Sequence, residues 1–247
     1  MTDHAVAATA ARAAGALLLE IRRTGLEGKA LGAAGDSAAH ALLTELLGSL
    51  RPNDAVLSEE GRDDRARLQT PRVWIVDPLD GTREYGEAGR TDWAVHVALV
   101  SQDGQTLAGA VALPGQNLTL TTDPARVVPP QPDRAVRVVA SRTRTVPEVE
   151  MVAAALDAEI VRLGSAGAKA MAVVQGEVDV YVHSGGQYEW DSCAPVAVAR
   201  AAGLHCSRID GSPLRYNNDD VYLPDLVICR PALAAAVLEA VRPERQP

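Results

Sequence analysis

The sequence predicts an α/β fold of the α+β kind, with an antiparallel-rich N-terminal sheet and a smaller C-terminal α/β sheet. Three observations carry that expectation. Residues 93–100, WAVHVALV, are apolar on both alternating faces, as a central strand covered on both sides must be. Beyond residue 134, short β-branched runs alternate with stretches of helical spacing, which is how α/β organisation reads. Between the two regimes, residues 123–134, DPARVVPPQPDR, are polar and rich in proline. The expected organisation is an N-terminal lobe over 1–123, a linker over 124–134 and a C-terminal lobe over 134–247.

The elements follow in order. Residues 5–22 place Ala10, Ala14, Leu17, Leu18 and Ile21 at helical spacing. A glycine-rich break is expected over 25–35, and a second helix from near Asp36, with Leu42, Leu43, Leu46, Leu47 and Leu50 on one face. Asp36 then stands at a helix entrance, where an aspartate is a common N-cap. Residues 55–58 read as a short strand ending in Glu59-Glu60, and 61–72 as a loop. The strand at 73–76 is expected to stop at Pro78, which lacks a donor, and Asp77-Pro78-Leu79-Asp80-Gly81-Thr82 to form a stiff turn. Strands at 106–113 and 118–121 complete the first sheet. The second lobe reads as strand 135–140, helix 147–156, strand 159–163, helix 166–175, strand 178–182, glycine-rich loop 183–189, helix 191–202, strand 226–229 and helix 232–241. His96 reads as a core histidine.

Composition narrows the function. The chain has 247 residues, 47% of them hydrophobic, and no Phe, so Ala, Val and Leu must fill its core. A net charge of −8 argues against nucleic-acid binding and against a polybasic membrane contact. An acidic protein still binds an anion where metal ions supply local positive charge. Three cysteines without C-x-x-C spacing suggest buried, reduced thiols and a cytoplasmic setting. The first residues lack a basic n-region and read as an amphipathic helix, not a signal peptide, and no apolar run is expected to span a bilayer.

The chemistry lies in the acids. Asp36, Glu59, Asp77, Asp80 and Asp191 all stand at strand ends or helix starts, where sites of α/β proteins gather. Asp77 and Asp80, three residues apart, repel unless a cation or proton lies between them. Carboxylates with a backbone carbonyl suit Mg²⁺, whereas no His/Cys cluster suits zinc. Several carboxylates in one site fit two-metal hydrolysis of a phosphate ester. Gly164-Ser165-Ala166-Gly167-Ala168-Lys169, between a strand and a helix, lacks Walker A spacing but makes a good anion seat. Lys169 is one of only two lysines, which favours a ligand contact.

The joint pattern Asp36 … Glu59-Glu60 … Asp77-Pro78-Leu79-Asp80-Gly81-Thr82 … Trp190-Asp191-x-x-Ala194 resembles the inositol monophosphatase superfamily, the lithium-sensitive, magnesium-dependent phosphatases. DPLDGTREY, DWAVHVALV, GSAGAKAMAV, GGQYEWDS and DGSPLRYN are most similar to its bacterial CysQ branch in the actinobacterial form, which acts on 3′-phosphoadenosine 5′-phosphate. The resemblance implies a layered αβαβα sugar-phosphatase fold. It implies that Glu59, Asp77 and the carbonyl of Leu79 hold one Mg²⁺, and that Asp77, Asp80 and Asp191 hold a second. Thr82 would orient the attacking water, with Asp36 accepting its hydroxyl proton; Glu60 would assist, or serve a third metal. Gly81 and Thr82 would donate to the scissile phosphate, Li⁺ would inhibit at a metal position, and attack would be in line without a phospho-enzyme. Many relatives carry Thr-x-x-Asp where this chain has Ala33-Ala34-Gly35-Asp36. Substrate contacts are expected from Ser141, Arg142, Ser165 and Lys169, from Tyr188 or Tyr216 stacking on adenine, and from Arg215 on the second phosphate. Inositol 1-phosphate or fructose 1,6-bisphosphate remain alternative substrates, a non-cleaving phosphonucleotide sensor a distant alternative, and a homodimer an open expectation.

Overall fold

The computed structural model describes residues 1–144 and 146–242. Two helices come first, α1 (Asp3–Ile21) and α2 (Gly28–Leu50). The first sheet has the order β1 (Ala55–Ser58), β2 (Arg72–Asp80), β3 (Ala94–Ser101), β4 (Thr106–Leu113), β5 (Leu118–Thr121), with the short helix α3 (Thr82–Gly86) between β2 and β3. Only β1 and β2 pair in parallel; the other neighbours are antiparallel.

The second sheet draws on β6 (Arg137–Ser141), β7 (Glu159–Leu163), β8 (Val180–Tyr188), β9 (His205–Ser207) and β10 (Tyr222–Cys229), in the order β7-β6-β8-β10-β9. Its helices are α4 (Pro147–Leu156), α5 (Ala166–Gln175), α6 (Glu189–Ala201) and α7 (Ala234–Ala240).

Period-two alternation sorts the core into layers. Val95, Val97 and Leu99 of β3 face one way, onto the helix pair α1–α2, with Trp74 and Val76 of β2. Ala94, Ala98 and Val100 face the other way, onto α5 and α6, whose opposite side meets the second sheet through Val139, Tyr181 and Ile228. The outer face of that sheet packs on α4 and α7 through Val138, Val180, Val227 and Val237. The result is the αβαβα stack that the family resemblance implied. The three cysteines are free, Cys193 and Cys229 buried. By length and apolarity α1 would reach across a bilayer, contrary to expectation, but its Val6, Ala10, Ala14 and Leu18 are fully buried in this core.

Four expectations are corrected. The break does not extend to 35: it ends at Glu27, α2 begins at Gly28, and Asp36 lies within α2 rather than at its N-cap. Glycine is a poor helix former, but tertiary packing overrides propensity here. A Cβ at Gly35 would lie 2.9 Å from Tyr85 and 3.0 Å from Leu18 and Leu79, so glycine lets α2 sit against α1 and the turn after β2. Second, β2 does not stop at Pro78. It runs to Asp80 through an irregularity that sets Asp77 against His96 and Asp80 against Ala94, three steps on β2 for two on β3. A bulge leaves one residue unpaired, which accommodates the missing donor of Pro78. Third, residues 183–188 are strand rather than loop, because Gly185 and Gly186, at φ 67° and 68°, let β8 continue across an irregular register with β10. Fourth, β9 was not expected; it gives the second sheet as many strands as the first among the described residues.

Two glycines of α2 separate packing from propensity. Gly35→Val should cost about 2–3 kcal/mol in urea unfolding through overpacking. Gly48→Ala, where no atom lies within 4 Å of the added Cβ, should stabilise by up to about 1 kcal/mol.

Candidate active site

The bulge in β2 decides the geometry of the acids. In a regular strand, residues three apart point to opposite faces. The extra residue between Asp77 and Asp80 brings both carboxylates to one side. Asp77 Oδ1 accepts from the Leu79 N–H at 3.0 Å, which stiffens the turn, and Gly81 closes it at φ 87°. Asp191 arrives from the other sheet at the start of α6. Its Oδ2 accepts from the Tyr188 N–H at 2.7 Å, so it caps that helix while its carboxylate meets the other two. Asp77, Asp80 and Asp191 each offer an oxygen within 4.8 Å of the others.

Burial and mutual repulsion raise the proton affinity of these acids. Burial, then the charges of Glu59, Asp80 and Asp191, push Asp77 well above the usual carboxylate range. Burial and the charge of Asp80 push Asp191 up to about 7. Burial and neighbouring acids likewise lift Glu59 to about 7, although a hydrogen bond with Asp77 opposes this. Asp36 is also raised to about 7, by burial and by Glu60, against a hydrogen bond from Thr82. The Thr82 hydroxyl also lies 3.2 Å from the Leu79 carbonyl, so its single proton is shared between that oxygen and Asp36. An all-oxygen donor set that is short of positive charge fits a hard divalent cation.

Asp80 is the exception. Burial would raise it, but His96, Lys169 and the Gly167 N–H hold it below the ordinary range. Its two oxygens accept from the N–H groups of Ala166 (3.1 Å) and Gly167 (2.6 Å) at the start of α5. His96 is fully buried. Its Nε2 lies 3.1 Å from Asp80 Oδ2 and its Nδ1 3.0 Å from the Trp190 carbonyl. Nε2 is not aligned for a hydrogen bond, so its contact with Asp80 is an attraction between charges. Burial works against the imidazolium, and Asp80 outweighs it. His96 thus ties Asp80 to the residue preceding Asp191. Sequence reading took it for packing; the signal was its pairing opposite Asp77, which only strand register reveals.

A cleft of about 240 Å³ opens beside these acids. It brings together Asp80, Gly81, Ser141, Ser165, Lys169 and Asp191, all expected from the sequence. Ser165 is the N-cap of α5, accepting from the Ala168 N–H at 2.9 Å. Lys169 Nζ donates to the carbonyls of Gly164 (2.6 Å) and Ser165 (2.8 Å), and burial lowers it to about 8. Thr143, Arg144, His183, Gly186 and Gln187 also line the cleft and were not anticipated. Arg142 is paired with Glu84 (3.0 Å) and Glu87 (2.8 Å). Tyr188 is exposed and stacked on Trp190, ring centroids 5.0 Å apart. Tyr216 is buried, its hydroxyl 3.3 Å from that of Ser192, and offers no face to a base. Arg215 is not brought to the cleft: it donates to the Asp103 carbonyl at 3.1 Å, in the turn beyond the other end of β3 from His96.

The family model described as the inositol monophosphatase family matches residues 2–246. A protein of Mycobacterium leprae named 3′-phosphoadenosine 5′-phosphate phosphatase is 52% identical over 255 residues, covering 98% of this chain and 94% of that protein. One of the same name from Mycobacterium tuberculosis is 50% identical over 237 residues, covering 92% and 89%. The crystal structure of CysQ from Bacteroides thetaiotaomicron superposes with a TM-score of 0.78 at 27% identity, covering 92% of this chain and 97% of that one.

The acids predict a pH-dependent response to metal. Folded pKa values near 7 for Asp36, Glu59 and Asp191, against 3.8 or 4.5 for the free groups, mean that these groups favour the metal-free fold fully below about pH 4. That contribution is lost as the pH rises through about 7. A divalent cation prefers the ionised forms, so the Mg²⁺-induced rise in Tm should grow between pH 5 and pH 8 by scanning calorimetry. His96→Ala should weaken Mg²⁺ binding about tenfold or more by titration calorimetry, the usual cost of losing a residue that orients a ligand.

Proposed function

The chain belongs to the inositol monophosphatase family, and on that premise we propose that it is a Mg²⁺-dependent phosphomonoesterase that removes the 3′-phosphate of 3′-phosphoadenosine 5′-phosphate, giving AMP and phosphate. The observation that carries the chemistry is the meeting of Asp191, at the start of α6, with Asp77 and Asp80, at the end of β2, within 4.8 Å. The substrate is supported by relatives about 50% identical over nearly the whole chain.

Glu59, Asp77 and the Leu79 carbonyl would hold one Mg²⁺, and Asp77, Asp80 and Asp191 another; Glu60, near Asp36, is the candidate for a third. Bound there, the ions supply positive charge to the phosphoryl oxygens and acidify water. The chain does the rest. Thr82, bonded to Leu79 and Asp36, is set to orient a water molecule through its hydroxyl oxygen. Asp36, raised to about 7, can take the hydroxyl proton at neutral pH. Gly81 and Thr82 would donate to the scissile phosphate, as the family resemblance implies. Asp80 stays ionised because α5 and His96 hold it so, which keeps this carboxylate charged.

A phosphate-release assay tests this. With Mg²⁺, wild-type protein should hydrolyse 3′-phosphoadenosine 5′-phosphate with higher kcat/KM than inositol 1-phosphate or fructose 1,6-bisphosphate, and Li⁺ should inhibit. Asp80→Asn keeps an oxygen for α5 but loses the charge, and should lower kcat by about 10³-fold or more with an unchanged circular dichroism spectrum. Full activity in that variant would sink the assignment.

A further inference from the structure

Asp191 follows two residues that are anchored from different sides. His96 holds the Trp190 carbonyl from the first sheet. Glu189, the first residue of α6, is 1% exposed and is held by the loop between β9 and β10. Its Oε2 accepts from the Asn217 N–H at 2.6 Å. Its Oε1 accepts from the Asn218 N–H at 2.8 Å and from the Asn218 side-chain amide at 2.7 Å. The Glu189 N–H in turn donates to the Val221 carbonyl at 2.9 Å. A carboxylate in this place also suits the positive end of the helix.

A buried arginine of the first lobe grips the same loop. Arg67 lies in the short 3₁₀ turn Arg65–Gln69, in the segment that follows Glu59-Glu60, and is 2% exposed. Its Nε and Nη2 donate to the Asp63 carboxylate at 2.7 and 3.0 Å. Its Nη1 donates to Asn217 Oδ1 at 2.6 Å, and its Nη2 also to the Asn218 carbonyl at 2.9 Å. At the surface beside it, Arg65 pairs with Asp219. Burying a guanidinium costs free energy that such bonds only offset, so an apolar residue would fill the space as well. What the arginine adds is direction. Its planar fork fixes the loop, and the loop fixes Glu189. A continuous chain of bonds thus runs from the segment after Glu59-Glu60, through Arg67 and the 217–218 turn, to the start of α6.

We propose that Arg67 and Asn217 are positioning residues: the buried bond between them sets Asp191 against the acids of the first lobe, and so governs how tightly those acids take a divalent cation. This rests on the metal-dependent phosphatase reading of the same acids. Neither residue lines the cleft, so both act through α6 and not on substrate.

The test removes the bond and keeps the turn. Asn217 has φ 62°, a left-handed conformation that glycine and aspartate also tolerate. Asn217→Gly keeps the N–H that Glu189 holds but loses the oxygen that Arg67 holds; Asn217→Asp keeps both. Metal-free protein is titrated with Mg²⁺ by calorimetry, well below its Tm. Asn217→Gly should weaken Mg²⁺ binding about tenfold, and Asn217→Asp should bring it back to within about threefold of wild type. Arg67→Lys, whose ammonium cannot span Asp63 and Asn217 together, should lose as much as Asn217→Gly. At saturating Mg²⁺, KM for 3′-phosphoadenosine 5′-phosphate should stay within about twofold of wild type in all three variants, since the binding contacts are untouched. A wild-type protein that takes up no Mg²⁺ would sink the phosphatase reading, and this inference with it. Given a wild type that binds, Mg²⁺ affinity within about twofold of it in both Asn217→Gly and Arg67→Lys, whatever their Tm, would overturn the proposal. Equal weakening in Asn217→Gly and Asn217→Asp would place the effect in the turn itself and overturn the assignment to this bond.

Discussion

Mutual repulsion among buried carboxylates is the constraint that shapes the molecule. Asp77 and Asp80 are almost fully buried, and Asp191 comes within 4.8 Å of both. Like charges so placed cost free energy in a medium less polar than water. The sheets supply what holds them there. The bulged end of β2 turns two acids to one face, and α6 carries the third. Sheet hydrogen bonds and apolar packing on both sides of β2 make the arrangement rigid. The acids remain strained until cations arrive, which is how a fold stores affinity for metal.

The layer between the two sheets organises the site. The first turn of α5 donates two backbone N–H groups to Asp80, and a Cβ on Gly167 would lie 2.1 Å from His96 Nε2. The glycine therefore lets the helix start close on β3 with the imidazole between them. His96 then reaches the Trp190 carbonyl and so fixes α6 against β2. Val100 and Ile75 of the first sheet, Met171 of α5, Val196 of α6 and Ile228 of the second sheet share one core. Any loosening of that core would move Asp191 relative to Asp80.

Much of this was legible in sequence because it rests on local rules. The double-faced apolar pattern of 93–100 became β3, and helix 166–175 appeared with those bounds. The acids Asp77, Asp80 and Asp191 converge as the motif implied. What could not be read was non-local. Gly32 and Gly35 look like a break until Thr82 is seen against the first and Tyr85, Leu18 and Leu79 against the second. Pro78 looks like a strand end until the bulge absorbs it. His96 looks like filler because nothing in its own segment shows that it faces Asp80. Arg142 is expected to meet substrate from its place after a strand, and Arg215 from its charge. Whether an arginine is free depends on which acids the fold sets beside it, here Glu84 and Glu87 for Arg142.

That last point bears on how an acidic protein takes up an anion. With a net charge of −8, the long-range field repels a phosphate ester. Attraction must then be local and placed so that the protein's own acids do not cancel it. Lys169 is turned inward onto two carbonyls of its own helix start, so its charge supports Asp80 more than it meets solvent. The α5 N–H groups are likewise spent on Asp80. The acids that line the cleft could hold a divalent ion, and Arg144 adds a guanidinium to the same lining.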